Sequence, residues 1–254
     1  MACIRQALIV SLLLSVAVAL VSCGRNSGAA GSDGVPAPRY TATGPVGPFF
    51  MTRYWSSSST LEKAVWYFTA DGHVYRDLQE GLTPADLARH RGPQGTFKLD
   101  GSELAVQWAD GKKSTSKVER DAPDSTTFMW DMGIFSPIQP FASPQEAVGS
   151  YDGGEAVGGG EHARVAVAQS LDLKADGTFT QEGSSLVQGA SDYAKFTAGH
   201  QDEAKGTWML SGYSLVLGDG SDETMRRIAF PVDDDQTPLK PDHIFVGWLM
   251  FKKK

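Results

Sequence analysis

Metal binding and nucleophilic catalysis need histidine, cysteine or clustered acids at defined spacings. The five histidines are His73, His90, His162, His200 and His243. No two stand two apart, as one face of a strand requires, or four apart, as one face of a helix requires, so no metal site is legible. His90 and His200 precede Gly95 and Gly206 by five and six residues. That spacing reads as a duplicated loop feature or, the preferred reading, as two solvated loop histidines. The acidic runs "DGSDE" at 219–223 and "DDD" at 233–235 lack the alternating oxygen ligands, central Gly and closing Glu of a calcium loop, and read as solvated turns. There is no G-x-S-x-G, and "GGGEH" at 158–162 has no strand-to-helix context to make it a phosphate loop. The expectation is a protein without catalytic residues, metal or cofactor. A formal charge of −7 with no basic stripe also argues against a nucleic-acid partner.

The chain has two cysteines, Cys3 and Cys23. Around them lie a short segment carrying Arg5, fourteen uncharged and mostly apolar residues from Ala7 to Leu20, and small residues at the end. The stretch is too short to span a bilayer comfortably and has the order of a secretory signal. Leu20-Val21-Ser22-Cys23 resembles the lipobox of bacterial lipoproteins. The resemblance implies cleavage after residue 22, acylation of the Cys23 thiol and a lipid anchor in the membrane. Two or more chains anchor stably where one does not. Gly24 rather than Asp after the cysteine implies, by the sorting pattern of Gram-negative lipoproteins, the outer membrane. An ordinary signal peptide and a freely secreted protein is the alternative. Cysteine usage weighs against it, because Cys23 would be a lone thiol in an oxidising compartment.

The elements that position any site begin beyond a stretch, 23–48, that reads as a Gly- and Pro-rich tether, with six Gly and four Pro between Gly24 and Pro48. A flexible coil of that length reaches roughly 25–30 Å, and the folded part is expected to start at Phe49. Beyond it the chain repeats itself. "ADG" occurs at Ala70–Gly72 and Ala175–Gly177. "GTFKLDGSELAV" from Gly95 is answered by "GTWMLSGYSLVL" from Gly206, with Phe97 and Trp208 in the same place. "PD", then five residues and Trp, occurs at Pro123 to Trp130 and at Pro241 to Trp248. Three landmarks in one order favour a duplication. The joint, 136–147, carries Pro137, Pro140 and Pro144 and reads as a stiff connector.

Each copy, 49–135 and 148–254, is written in antiparallel β grammar. Asp-Gly pairs supply hairpin turns, and between them apolar residues alternate, as at Phe97/Leu99, Leu104/Val106/Trp108 and Trp208/Leu210. Six or seven strands per copy are expected. Between "ADG" and the Gly-Thr-aromatic strand each copy has an insert. Thr83-Pro84-Ala85-Asp86 has the cap, Pro and acid of a short helix, and Ser191-Asp192 opens "SDYAKF" in a similar way. The pattern resembles the lipocalin-like β-barrel domains of bacterial envelope proteins. The fold expected is therefore all-β, with two similar antiparallel meander or barrel units, each with a short helical insert, meeting at an apolar interface. Trp66, Trp108, Trp130, Trp208 and Trp248 are expected on strands, where they fill the barrels or line a cavity. The leading functional expectation is binding of an apolar small molecule or lipid inside a barrel. The alternative is a surface module with filled barrels that binds an envelope protein.

Overall fold

The computed structural model describes residues 34–57, 60–157, 163–190, 195–218, 224–232 and 241–254. The signal segment and Cys23, the run "GGGEH" with His162, the residues 191–194, and both acidic runs "DGSDE" and "DDD" lie outside the described residues. Among the described residues no helix is long and apolar enough to cross a membrane.

The first unit comprises β1 (Arg39–Thr41), β2 (Gly44–Trp55), β3 (Thr60–Phe68), β4 (His73–Arg76), α1 (Pro84–Arg89), β5 (Gln94–Asp100), β6 (Glu103–Trp108), β7 (Lys113–Lys117), β8 (Phe128–Trp130) and β9 (Gly133–Pro137). Its strands run in the order β7-β6-β5-β4-β3-β2-β9-β8, with β1 added beside β2. A bridge between Glu119 and Met129 brings the chain after β7 back to β8. The second unit is a closed barrel of β10 (Gly149–Val157), β11 (Ala163–Leu173), β12 (Thr178–Ala190), β13 (Lys195–Ser211), β14 (Ser214–Gly218), β15 (Thr224–Pro231), β16 (His243–Val246) and β17 (Leu249–Lys253). The molecule is thus two eight-stranded antiparallel barrel-like sheets, all-β, in agreement with two lipocalin-like units. Every connection is between neighbours in sequence apart from the closing pairs β9–β2 and β17–β10.

The duplication is visible bond for bond. Phe97 N–H donates to Gly72 O and Trp208 N–H to Gly177 O, both at 2.8 Å. Thr69 N–H donates to His73 O as Lys174 N–H does to Thr178 O, both at 2.9 Å. Leu99 pairs with Leu104 across β5–β6, and Leu210 with Leu215 across β13–β14. Following the registers around each sheet equates β2–β9 with β10–β17, strand for strand. The third sequence landmark does not survive this alignment. Trp130 ends β8 and pairs with Gly133, whereas Trp248 sits in the β16–β17 turn, two residues past the equivalent position, Val246. Trp248 is accordingly 41% exposed rather than on a strand.

Three further expectations are corrected. Ordered structure begins before Phe49: Val35 is buried, β1 pairs with β2, and Pro38 lies so close to Gly47 that a Cβ there would meet Pro38 Cα at 2.7 Å. The Gly/Pro composition that reads as a tether up to residue 48 serves, over its last part, this close backbone approach. Second, the connector begins later than expected, since Ser136 and Pro137 belong to β9 and close the first sheet against Phe50 and Phe49. Third, among the described residues only the first unit has a helical insert, and residues 191–194 of the second lie outside them. Thr83 caps α1 by accepting from Asp86 N–H, and Asp86 Oδ2 accepts in return from Thr83 N–H. In the second unit Lys195 and Phe196 are already in β13, paired with Ala190 and Gly189. A ladder runs continuously from Ala190–Lys195 to Thr178–Thr207, so the last two residues of "SDYAKF" have strand partners for their backbone groups.

The units meet through an apolar interface. Phe50, Val65 and Tyr67 on the outside of β2 and β3 pack against Ile228, Phe230 and Phe245 on the outside of β15 and β16. Phe50 lies 5.6 Å from Phe230 and 5.0 Å from Phe245, ring to ring. Tyr213 donates its hydroxyl to Ile138 O at 2.8 Å, and burial pushes that phenol well above its usual range. At the rim Lys63 pairs with Glu155 at 3.2 Å, and Arg226 lies 3.7 Å from Asp86.

Candidate functional site

The two interiors differ, and the strand equivalence says where. In the first unit Trp66 occupies the centre. It stacks on Phe68 at 5.8 Å and presents its edges to Trp108, Trp130 and Phe135 at 5.5, 5.9 and 5.2 Å. Trp130 Nε1 donates to Leu104 O, and Trp108 Nε1 to Ser114 Oγ, each at 3.0 Å. Alternation along each strand aims these rings inward, and together they fill the barrel. The space between Trp66, Trp130 and the Phe97 strand is therefore packed rather than open.

In the second unit the registers put Leu171 where Trp66 stands, since Phe49 pairs with Trp66 and Tyr151 with Leu171. The same alignment replaces Trp130 by Val246 and Met51 by Gly153. Each of these three changes takes side-chain volume out of the interior, while Leu249 and Phe179 add some in the places of Gly133 and Val74. What results is a cavity of about 270 Å³ with Leu171, Leu217, Leu249 and Phe251 as a buried floor. Above the floor Gln169 and Gln181 form a polar collar, with the Gln181 amide donating to Gln169 Oε1 at 3.4 Å. Asp202, Met225, Arg227 and Trp248 also line the cavity. Deeper, Tyr151 donates its hydroxyl to Ala147 O at 3.0 Å, and burial pushes its pKa up to about 12. An apolar floor beneath a few fixed polar groups is the chemistry of a small-molecule site.

Arg227 has no counterpart in the first unit. Leu104 pairs with Ser116 and its equivalent Leu215 with Arg227, so a guanidinium stands where the other barrel has a hydroxyl. It shares its inward parity on β15 with Met225 and Ala229, whereas Ile228 and Phe230 point out into the interface. Its stem folds over Gly247, where a Cβ would meet Arg227 Cδ at 2.8 Å. Gly247 also has φ +65°, the left-handed turn conformation that favours glycine.

The histidines are dispersed. His73 opens β4, 3.9 Å from Asp71; His90 ends α1 with its ring 6.1 Å from Tyr75; His243 opens β16. His90 and His200 do not mark one duplicated loop, because His200 lies within β13 opposite Ser185. Among the described residues no group of three or more His, Cys, Asp or Glu is placed to hold a metal ion. Lys252 and Lys253 are in β17, and Lys254 pairs with Asp152 at 2.9 Å. Sequence reasoning missed Arg227, Gln169 and Gln181. The signal for Arg227 was a charged residue at an inward parity of a strand whose outward positions are Ile228 and Phe230.

The fold and this site define two fused lipocalin-like barrels, one filled and one hollow. No family model, no curated protein and no solved structure matches the chain.

Proposed function

We propose that the protein is an envelope lipoprotein, anchored by acylated Cys23, whose second barrel binds an apolar small molecule or a lipid chain while the first barrel serves as a filled scaffold. The role is binding rather than catalysis. The reading is carried by the replacement of Trp66, Trp130 and Met51 by Leu171, Val246 and Gly153 at equivalent interior positions. Duplicated barrels that differ at these interior positions fit a division of labour between scaffold and container. A cavity of about 270 Å³ lies just below the range for ligand sites, roughly 300–1,000 Å³, so a single chain or a small ring system fits and a whole diacyl lipid does not. The anchor rests on the lipobox resemblance at Leu20–Cys23, and Gly24 favours the outer membrane where the host has one.

A surface interaction module is the second reading. It is favoured by one observation: Leu61, Tyr54, Ile134 and Met129 are all exposed and adjoin one another on the outer wall formed by β3, β2, β9 and β8. An envelope protein would be the partner. Exposing the purified full chain to a lipid extract and analysing the retained species by native mass spectrometry separates the two. A retained single-chain species supports the container, whereas no retained species together with exclusion of apolar dyes favours the module. For the anchor, Cys23→Ser is expected to release the protein from the membrane fraction. Continued membrane attachment of that variant would defeat the anchor.

A further inference from the structure

We infer that the occupant of the second barrel is an amphipathic anion of about ten non-hydrogen atoms, a carboxylate on an apolar body, whose head is held by Arg227. The inference rests on the reading of this barrel as a binding cavity and adds the chemistry of the head group to it.

The size follows from the volume: about 270 Å³ corresponds to roughly nine water molecules at the volume each occupies in the liquid. Polarity then sets the orientation. The floor of Leu171, Leu217, Leu249 and Phe251 is buried and apolar, and offers nothing to a charged or hydrogen-bonding group. Polar partners are confined to the collar and mouth, so an apolar tail points down and a polar head stays up. The sign of that head is set by Arg227. It is half-buried on the inner face of the barrel, and the partner that the described residues give it is a neutral one, the Arg226 carbonyl at 3.1 Å. Asp202, the acid on the opposite part of the wall, is exposed, and water screens its field. A guanidinium presents a planar fork that matches a carboxylate with two parallel hydrogen bonds. Gln169 and Gln181 provide amide donors beside it. The chain's overall charge of −7 repels such a ligand at long range, so the local guanidinium has to supply the attraction.

Titration calorimetry with the full chain tests this, using octanoate and its neutral counterpart 1-octanol as probes and the fluorescence of Trp248 at the mouth as a second readout. The wild type is expected to bind octanoate about 10- to 100-fold more tightly than 1-octanol, the ratio that a charge-assisted hydrogen-bonded pair supplies. In Arg227→Met, which keeps the length of the stem, that preference is expected to fall to near unity while 1-octanol binding persists. Equal affinity of the wild type for the two probes overturns the anion assignment and leaves the container standing. Undiminished octanoate preference in Arg227→Met overturns the role of Arg227. Binding of neither probe by the wild type overturns the container reading and this inference with it. The wild-type comparison does not depend on the folding of any variant.

Discussion

At the scale of single residues, the division between the barrels reduces to a few interior positions, and exchange between equivalent positions probes it. Leu171→Trp places in the second barrel the ring that Trp66 supplies to the first. It is expected to abolish binding of small apolar probes, with a change in stability under about 1.5 kcal/mol because it fills existing space. The reverse change, Trp66→Leu, removes the centre of a stacked and edge-on aromatic cluster and is expected to cost about 2–4 kcal/mol. Urea titration of both variants checks the asymmetry, and equal costs would show that the second interior is as tightly packed as the first. Two phenols add a pH dependence. Burial raises the pKa of both Tyr151 and Tyr213 above the ordinary 10.0, so above pH 10 the unfolded chain loses these protons first. Stability is then full below pH 10 and falls as pH rises, by about 1.4 kcal/mol per unit for each phenol. Tyr213→Phe is expected to reduce the alkaline slope of the urea midpoint, and an unchanged slope would exclude Tyr213 as its source.

Among the elements, hairpins were the most legible in sequence, because a tight turn needs particular residue types at fixed places. Gly72 and Gly177 have φ of 87° and 81°, and Gly101 and Gly212 have 59° and 54°, so the repeated Gly positions reported repeated turns. The helix at Pro84–Arg89 was legible for the same reason, through its cap. Thr83→Ala is expected to cost about 1–2 kcal/mol, because it removes the hydroxyl that bonds the Asp86 amide and carboxylate. Hydrogen exchange at the first turn of α1 should rise in parallel. Where sequence failed, the missing information was non-local. Lys195 and Phe196 were read into a helical insert, but register with β12 places them in β13. The cavity was illegible for the same reason: that Leu171 stands in the place of Trp66 follows only from pairing each with its neighbour in β10 or β2. The paired "PD…Trp" landmarks show the opposite error, an identical spacing that falls on non-equivalent places.

For the molecule as a whole, the contact between the barrels is heterologous: the first unit uses the outside of β2 and β3, the second the outside of β15 and β16. A heterologous contact between similar units does not close on itself and, repeated, makes a filament. The unused faces prevent this. Where the first unit has Phe50, Val65 and Tyr67, the second has Asp152, Ser170 and Asp172; where the second has Ile228 and Phe230, the first has Lys117 and Glu119. The outer end of the second unit is therefore polar, and that of the first sets Lys117 and Glu119 beside the exposed Met129, which stands in the place of Phe245. The joined faces then bind the stability of the hollow barrel to that of the filled one, which compensates for core lost to the cavity. Phe230→Asp puts an uncompensated carboxylate among Phe50, Phe245 and Ile228, a cost on the order of several kcal/mol. Its ring points out of the second barrel, so the burden falls on the interface and leaves the cavity lining in place. Differential scanning calorimetry is expected to show one transition in the wild type and two in Phe230→Asp, the lower belonging to the hollow unit. Ligand added to that variant should raise only the lower transition. A single transition in both proteins, shifted as a whole, would mean that the barrels remain one cooperative unit through Tyr213, Ile138 and the remaining contacts.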